Sequence, residues 1–182
     1  VPVSLAPGVA EHRQDAYRER NPQMLVPYLE DGEVGVAQSL AILEYLEETY
    51  TDKPLIPQSP ADSAAVRSFC SSICCDIHPL NNLRVMSYIK SEFGADPTRN
   101  WYGHWIHEGF RAAETVAERY GGPFVFGESV TLADACLIPQ VYNARRFEVS
   151  LVAYPKIRAV EAHCNSLPEF TAAAPENQPD AP

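Results

Sequence analysis

Two rhythms of apolar residues divide the chain. Before residue 38 they come in short alternating runs. Val1-Pro2-Val3-Ser4-Leu5 predicts a short strand, Leu25-Val26-Pro27-Tyr28-Leu29 a strand bearing a proline, and Val34 to Ala37 a third. Glu30-Asp31-Gly32-Glu33 is a turn of the Asp-Gly kind and joins the last two into a β-hairpin. Residues 10–20 are polar and predict a short helix with Ala16 and Tyr17 inward, stopped at Asn21-Pro22. From Ser39 onward the spacing is helical. Leu40, Leu43, Leu46 and Tyr50 recur on one face, and Ser39 is placed to cap them.

Pro54, Pro57 and Pro60 mark residues 51–61 as a linker between residues 1–50 and 62–182. Beyond it the pattern is helical throughout. A long helix is expected from Asp62 to about Phe93, burying Val66, Phe69, Ile73, Ile77, Leu80, Val85 and Ile89, with a kink at Pro79. A second runs from about Thr98 to Tyr120 and ends at Gly121-Gly122-Pro123. Thr131 and Asp134 form a reciprocal cap that opens a third, and Pro155 opens a fourth with Ile157, Val160 and Cys164 inward. The tail from Ala172 is expected to fray. The fold class is thus a small α/β segment followed by an all-helical domain.

Composition narrows the function classes. The 182 residues include 24 acids against 14 bases, a net charge of −10, which argues against a nucleic-acid partner. No apolar run approaches the ~18 residues of a membrane span, and no basic-then-apolar leader opens the chain. Cys70, Cys74, Cys75, Cys136 and Cys164 show neither CxxC nor zinc spacing, so no metal site and a reducing, cytoplasmic home are expected.

Four places carry candidate chemistry. A proline in a strand belongs at an edge or in a cis turn, and a cis Val26-Pro27 bond would turn the Val26 N–H and C=O toward a peptide-like ligand. At Gln38-Ser39 a strand gives way to a helix, so free N–H groups, the helix dipole and a hydroxyl converge where a carboxylate would bind. A plain N-cap explains the same residues. Thr131 and Asp134 are read as structural. Finally, Cys75 to Arg84 sets His78, Asn81, Asn82 and Arg84 close together, with His78 and Asn82 at i,i+4 on one face. Solvated helix residues are the plainer explanation there.

The order of these signals resembles the cytosolic glutathione transferases: a thioredoxin-like domain, then an α-helical one. The stretches Asn21 to Pro27, Gln38-Ser39-Leu40-Ala41-Ile42-Leu43-Glu44-Tyr45-Leu46-Glu47-Glu48, Asp76-Ile77-His78-Pro79-Leu80-Asn81-Asn82 and Tyr154 to Val160 are similar to the zeta class, which includes maleylacetoacetate and maleylpyruvate isomerases. The resemblance implies a glutathione-dependent enzyme. In that reaction a thiolate adds to a cis double bond conjugated to a ketone, the resulting single bond rotates, and elimination gives the trans isomer and returns the thiol. It also implies a homodimer and a small dicarboxylate as substrate.

By the same resemblance Val26 pairs with the cysteinyl peptide of glutathione beside cis Pro27. Gln38 and Ser39 hold its γ-glutamyl end, His12 lies near its glycyl carboxylate, and His78 and Asn82 contribute from the helical domain. Arg84, Arg145 and Arg146 are the cations for the substrate carboxylates, although dipole compensation at a helix end equally explains Arg145 and Arg146. The family pattern begins with a strand and helix bearing a Ser-rich thiol-activating motif. Residues 1–5 match its second strand, so the activating Ser is expected in about 25–30 further residues upstream. Residues 1–182 alone are expected to be poorly folded or inactive. Two other readings stand beside the isomerase: a zeta-like transferase acting on other substrates such as α-halo acids, and a non-catalytic glutathione-fold binding module.

Overall fold

The computed structural model describes residues 3–5, 8–179 and 181. The chain divides into two compact units, a smaller one that runs to Lys53 and takes in the chain again from Pro179, and a larger one over Pro54–Gln178.

The smaller unit is built around a hairpin. Strand β1 (Tyr28–Asp31) pairs antiparallel with β2 (Val34–Ala37), with Asp31 opposite Val34 and Tyr28 opposite Ala37. Gly32 takes the first place of the two-residue loop at φ 60°, where a side chain would be strained. Tyr28 lies across Gly35, and a Cβ there would sit 2.1 Å from its hydroxyl. Helix α1 (Asp15–Arg20) precedes the hairpin and α2 (Ser39–Thr49) follows it. Tyr45 from α2 and Tyr50 at its C-cap each donate to Asp31 Oδ2 at 2.9 Å.

Several expectations change here. Val1 and Pro2 lie outside the described residues, and Val3, Ser4 and Leu5 form no strand. Pro27 precedes β1 instead of sitting in it. Ala16 is exposed, and only Tyr17 turns inward. Ser39 is the first residue of α2 and not its cap.

The larger unit is helical. Helices α3 (Pro60–Ser71), α4 (Leu83–Phe93), α5 (Ala95–Tyr120), α6 (Leu132–Arg146), α7 (Pro155–Cys164) and α8 (Pro168–Ala173) surround one core. Val66, Ile106, Phe110, Leu137, Val141, Ile157 and Val160 are wholly buried in it, each side chain stabilising the fold by about 1.5–3 kcal/mol. Helix α5 starts at Ala95, three residues before the expected Thr98.

The expected long helix from Asp62 is not one kinked helix. After α3 the backbone widens into a π turn at Ser72–Ile77 and tightens into a 3₁₀ turn at His78–Asn81. Asn82 then leaves helical geometry at ψ 146° before α4 begins. Pro79 removes an N–H and disfavours α geometry at His78, so regular hydrogen bonding does not continue through it. Gly109 of α5 makes room for the break, since a Cβ there would lie 2.2 Å from Ile77 Cδ1.

Two buried carboxylates organise helix starts. Asp134, fully buried, accepts from Thr131 N at 2.8 Å and Val125 N at 2.9 Å, giving the capping box expected at α6. Glu114 of α5 accepts from Lys156 N at 2.7 Å and Ile157 N at 2.8 Å, capping α7 from a distant part of the chain. The tail does not fray at Ala172. It continues through a 3₁₀ turn at Pro175–Asn177, where Tyr142 Oη donates to Glu176 Oε1 at 2.8 Å.

Candidate functional site

In the smaller unit the chain before the hairpin is held by hydrogen bonds that leave Val26 open. Asn21, 2% exposed, donates from Nδ2 to Leu25 O at 2.7 Å and accepts from Gln23 N at 3.1 Å. Tyr17 Oη also donates to Leu25 O, at 2.7 Å. The next bond, Val26–Pro27, is cis, as expected. Val26 lies outside the hairpin ladder, and its N–H and C=O take no partner among the described residues. It is a half-exposed peptide edge able to pair with another peptide.

The start of α2 is equally open. Its N-cap, Gln38, adopts φ 77° and ψ 124°, a left-handed backbone rare for a residue with a side chain. No side chain caps this end, and no acid lies in the first turn. The first intrahelical bond here is Ile42 N to Gln38 O, so the N–H groups of Ser39, Leu40 and Ala41 face outward at the positive end of the dipole. Gln38 Nε2 donates to Gln23 Oε1 at 2.6 Å, which ties the Val26 loop to this helix start. His12 sits in a 3₁₀ turn, Glu11–Arg13, with its Nδ1 buried and unpartnered.

In the larger unit the break between α3 and α4 separates residues that the sequence grouped. His78 and Asn82 do not share a face, because Asn82 has left the helix. The 3₁₀ turn instead aligns His78 with Asn81. Asn82 is the N-cap of α4, its Oδ1 accepting from Arg84 N at 3.1 Å, and its amide nitrogen has no partner among the described residues. Arg84 is exposed and forms no ion pair among the described residues. It stands in the first turn of α4, where a cation opposes the helix dipole.

The two arginines at the end of α6 differ. Arg145 is committed to Glu161, with Nε to Oε1 and Nη2 to Oε2 both at 2.5 Å. Its assignment to substrate therefore does not stand. Arg146 is exposed and without an ion pair among the described residues, and its charge reaches the Tyr102 and Tyr142 hydroxyls.

His78 keeps much of its surface open, yet crowding on its other side lowers its imidazole pKa. The neighbouring Gln140 side chain acts in the opposite direction. Gln140, 2% exposed on α6, was missed by sequence reasoning, as were Asn21 and Gln23. Its signal was a polar residue in the apolar series Ala133, Cys136, Leu137, Val141, Ala144. Asn81 is 7% exposed, and both its amide atoms are unpartnered. All five cysteines are free; the neighbouring Cys70 thiol, with burial, raises that of Cys136 to about 12, and burial raises that of Cys164 to about 12. Among the described residues no helix is long and apolar enough to cross a membrane.

Comparison with known proteins gives this arrangement a context. Residues 1–54 match the family model for the glutathione S-transferase N-terminal domain. A probable maleylacetoacetate isomerase of Vibrio cholerae is 44% identical over 181 residues, covering 98% of this chain and 84% of that protein. The holo structure of a maleylpyruvate isomerase, described as a bacterial glutathione S-transferase of the zeta class, superposes with a TM-score of 0.93 at 43% identity, over 100% of this chain and 89% of the other. A maleylacetoacetate isomerase from Methylobacterium extorquens AM1, with bound malonate and glutathione, superposes with a TM-score of 0.91 at 32% identity, over 99% of this chain and 86% of that one.

Proposed function

Since the chain belongs to the zeta class of glutathione transferases, we propose that it is a glutathione-dependent cis–trans isomerase of maleylacetoacetate or maleylpyruvate. The observation that carries the glutathione half is the Gln38–Gln23 bond. It joins an unpaired peptide edge at Val26 to an uncapped helix start at Ser39. A tripeptide with a free α-carboxylate fits both: its cysteinyl peptide pairs with Val26, and its γ-glutamyl carboxylate takes the exposed N–H groups and the Ser39 hydroxyl. His12, with an unpartnered ring nitrogen, is the proposed contact for the glycyl carboxylate. Bound glutathione supplies the thiolate that adds to the double bond and is later eliminated.

The larger unit supplies positive charge. Arg84 and Arg146 are the proposed holders of the substrate carboxylates and of the negative charge that develops on the ketone oxygen. Arg84 supports this most directly, because its placement at a helix start is unfavourable for stability and makes sense for an anion. His78 and the amide nitrogen of Asn82 are the proposed glutathione contacts of this unit. We further propose that the enzyme is a homodimer serving breakdown of aromatic compounds in the cytoplasm, a compartment that suits five free cysteines.

The test is to express the protein from its complete reading frame and follow maleylpyruvate and maleylacetoacetate with and without glutathione. Isomerisation that requires glutathione yet does not consume it is expected. Absence of isomerisation together with conjugation of chloro-dinitrobenzene or an α-halo acid would overturn the assignment in favour of a transferase.

A further inference from the structure

One carbonyl is gripped twice at the end of α1. Tyr17 Oη and Asn21 Nδ2 each donate to Leu25 O at 2.7 Å, filling both of its lone pairs. The donors stand four residues apart, the spacing that puts side chains on one face of a helix. Asn21 is also the C-cap of α1, its N–H given to Tyr17 O at 2.8 Å. The loop returns to this face because Asn21 O accepts from Met24 N at 2.9 Å and Met24 takes φ 55°. Asn21 Oδ1 accepts from Gln23 N at 3.1 Å, and this fixes which way the amide faces. Turned over, it would set an N–H against the Gln23 N–H and an oxygen against the Leu25 oxygen. Asn21 is 2% exposed, so water does not compete for these bonds.

The grip decides where the next N–H points. A peptide unit is planar, and in its trans form the C=O and the N–H point in opposite directions. The Leu25–Val26 bond is trans; the cis bond in this loop is the following one, Val26–Pro27. With Leu25 O turned in to Tyr17 and Asn21, the N–H of Val26 is turned away from them. Val26 is 41% exposed, and its N–H takes no partner among the described residues. Without the two donors this peptide unit is free to rotate about its flanking bonds, and the N–H loses its direction.

We infer that Tyr17 and Asn21 are positioning residues that, by gripping Leu25 O, aim the Val26 N–H at the cysteinyl carbonyl of glutathione. The inference rests on the proposed reading of Val26 as the partner of that peptide. A donor aimed in advance gives up little freedom when the ligand arrives, so more of the bond's worth appears as affinity. Neither side chain has to touch glutathione for this.

The test uses protein from the complete reading frame, labelled with ¹⁵N-valine, with the Val26 amide signal assigned by its loss in Val26→Ile. Tyr17→Phe removes one donor and keeps the ring. Asn21→Asp removes the other and keeps the acceptor for Gln23 N. In wild type, saturating glutathione should shift the Val26 amide signal and slow its exchange with water. Tyr17→Phe should weaken glutathione binding by about threefold and Asn21→Asp by about tenfold, read by calorimetry, and both should show a smaller Val26 response at saturation. The turnover number at saturating glutathione should hold, because the grip touches no reacting atom. Affinity or a Val26 response at the wild-type level in both variants would overturn the inference, and if Asn21→Asp does not fold, Tyr17→Phe alone decides. A wild-type protein that binds glutathione while its Val26 amide stays silent would overturn the reading of Val26 itself, and the inference with it.

Discussion

Arg145 and Glu161 grip each other through two parallel bonds, and this separates two arginines that are neighbours in sequence. Glu161 is 9% exposed, so removing its partner leaves a carboxylate that water reaches poorly. Arg145→Ala should lower stability by about 1–3 kcal/mol, read by denaturant unfolding. Arg146→Ala should leave stability nearly unchanged and reduce kcat/KM for the dicarboxylate by about tenfold or more, with glutathione affinity retained. Equal activity in wild type and both Arg146→Ala and Arg84→Ala would mean that the dianion is held elsewhere.

Glu114 caps α7 across the core. Glu114→Gln keeps the shape and one acceptor but loses the charge that favours a helix start, while Glu114→Ala loses both bonds. The Ala variant should cost about 2–4 kcal/mol and the Gln variant clearly less. Comparable losses in the two, measured in urea, would show that packing and not the cap holds α7.

Gly109 marks where the break before α4 presses on α5. Gly109→Ala places a methyl group against the body of Ile77, and the segment must shift to admit it. Overpacking of this kind costs about 1–3 kcal/mol. Pairing it with Ile77→Ala should return part of the loss. A double variant no more stable than the sum of the singles would show that the clash is relieved in some other way.

The box at α6 has no proposed chemistry. Thr131→Ala should cost about 1 kcal/mol and leave glutathione affinity unchanged. A selective loss of binding in folded protein would contradict its purely structural role.

Acid should act through His78. Its folded pKa lies below the ordinary imidazole value of 6.5, with burial as the first cause. The unfolded chain therefore takes up the proton first. The stability contribution is complete above pH 6.5 and is lost as pH falls through the depressed folded value. Between pH 7 and pH 5 the melting temperature of wild type should fall more than that of His78→Gln. Parallel profiles would mean that the ring titrates alike in both states.

What could be read in advance was local. The Asp-Gly turn, the helical series after Ser39, the Thr131–Asp134 box and the cis proline at Val26 each depend on a few adjacent residues. The missed features depend on residues that meet only after folding. Glu114 and Ile157 are 43 positions apart, and Arg145 and Glu161 are 16 apart. The pairing of His78 and Asn82 failed because helical spacing assumes an unbroken α-helix, and Pro79 together with the space over Gly109 allows a different one. Asn82 stands instead as the N-cap of α4, its oxygen accepting from Arg84 N.

The left-handed backbone of Gln38 bears on how this protein could be improved in the laboratory. Glycine adopts φ 77° without a clash, so Gln38→Gly would relax the backbone and raise heat resistance. It would also sever the link to Gln23 that holds the Val26 loop against the helix start. A selection that rewards survival at high temperature alone would favour that exchange and drift toward sturdy proteins with weakened glutathione binding. Selection for turnover would keep the glutamine and look for added stability in the helical unit.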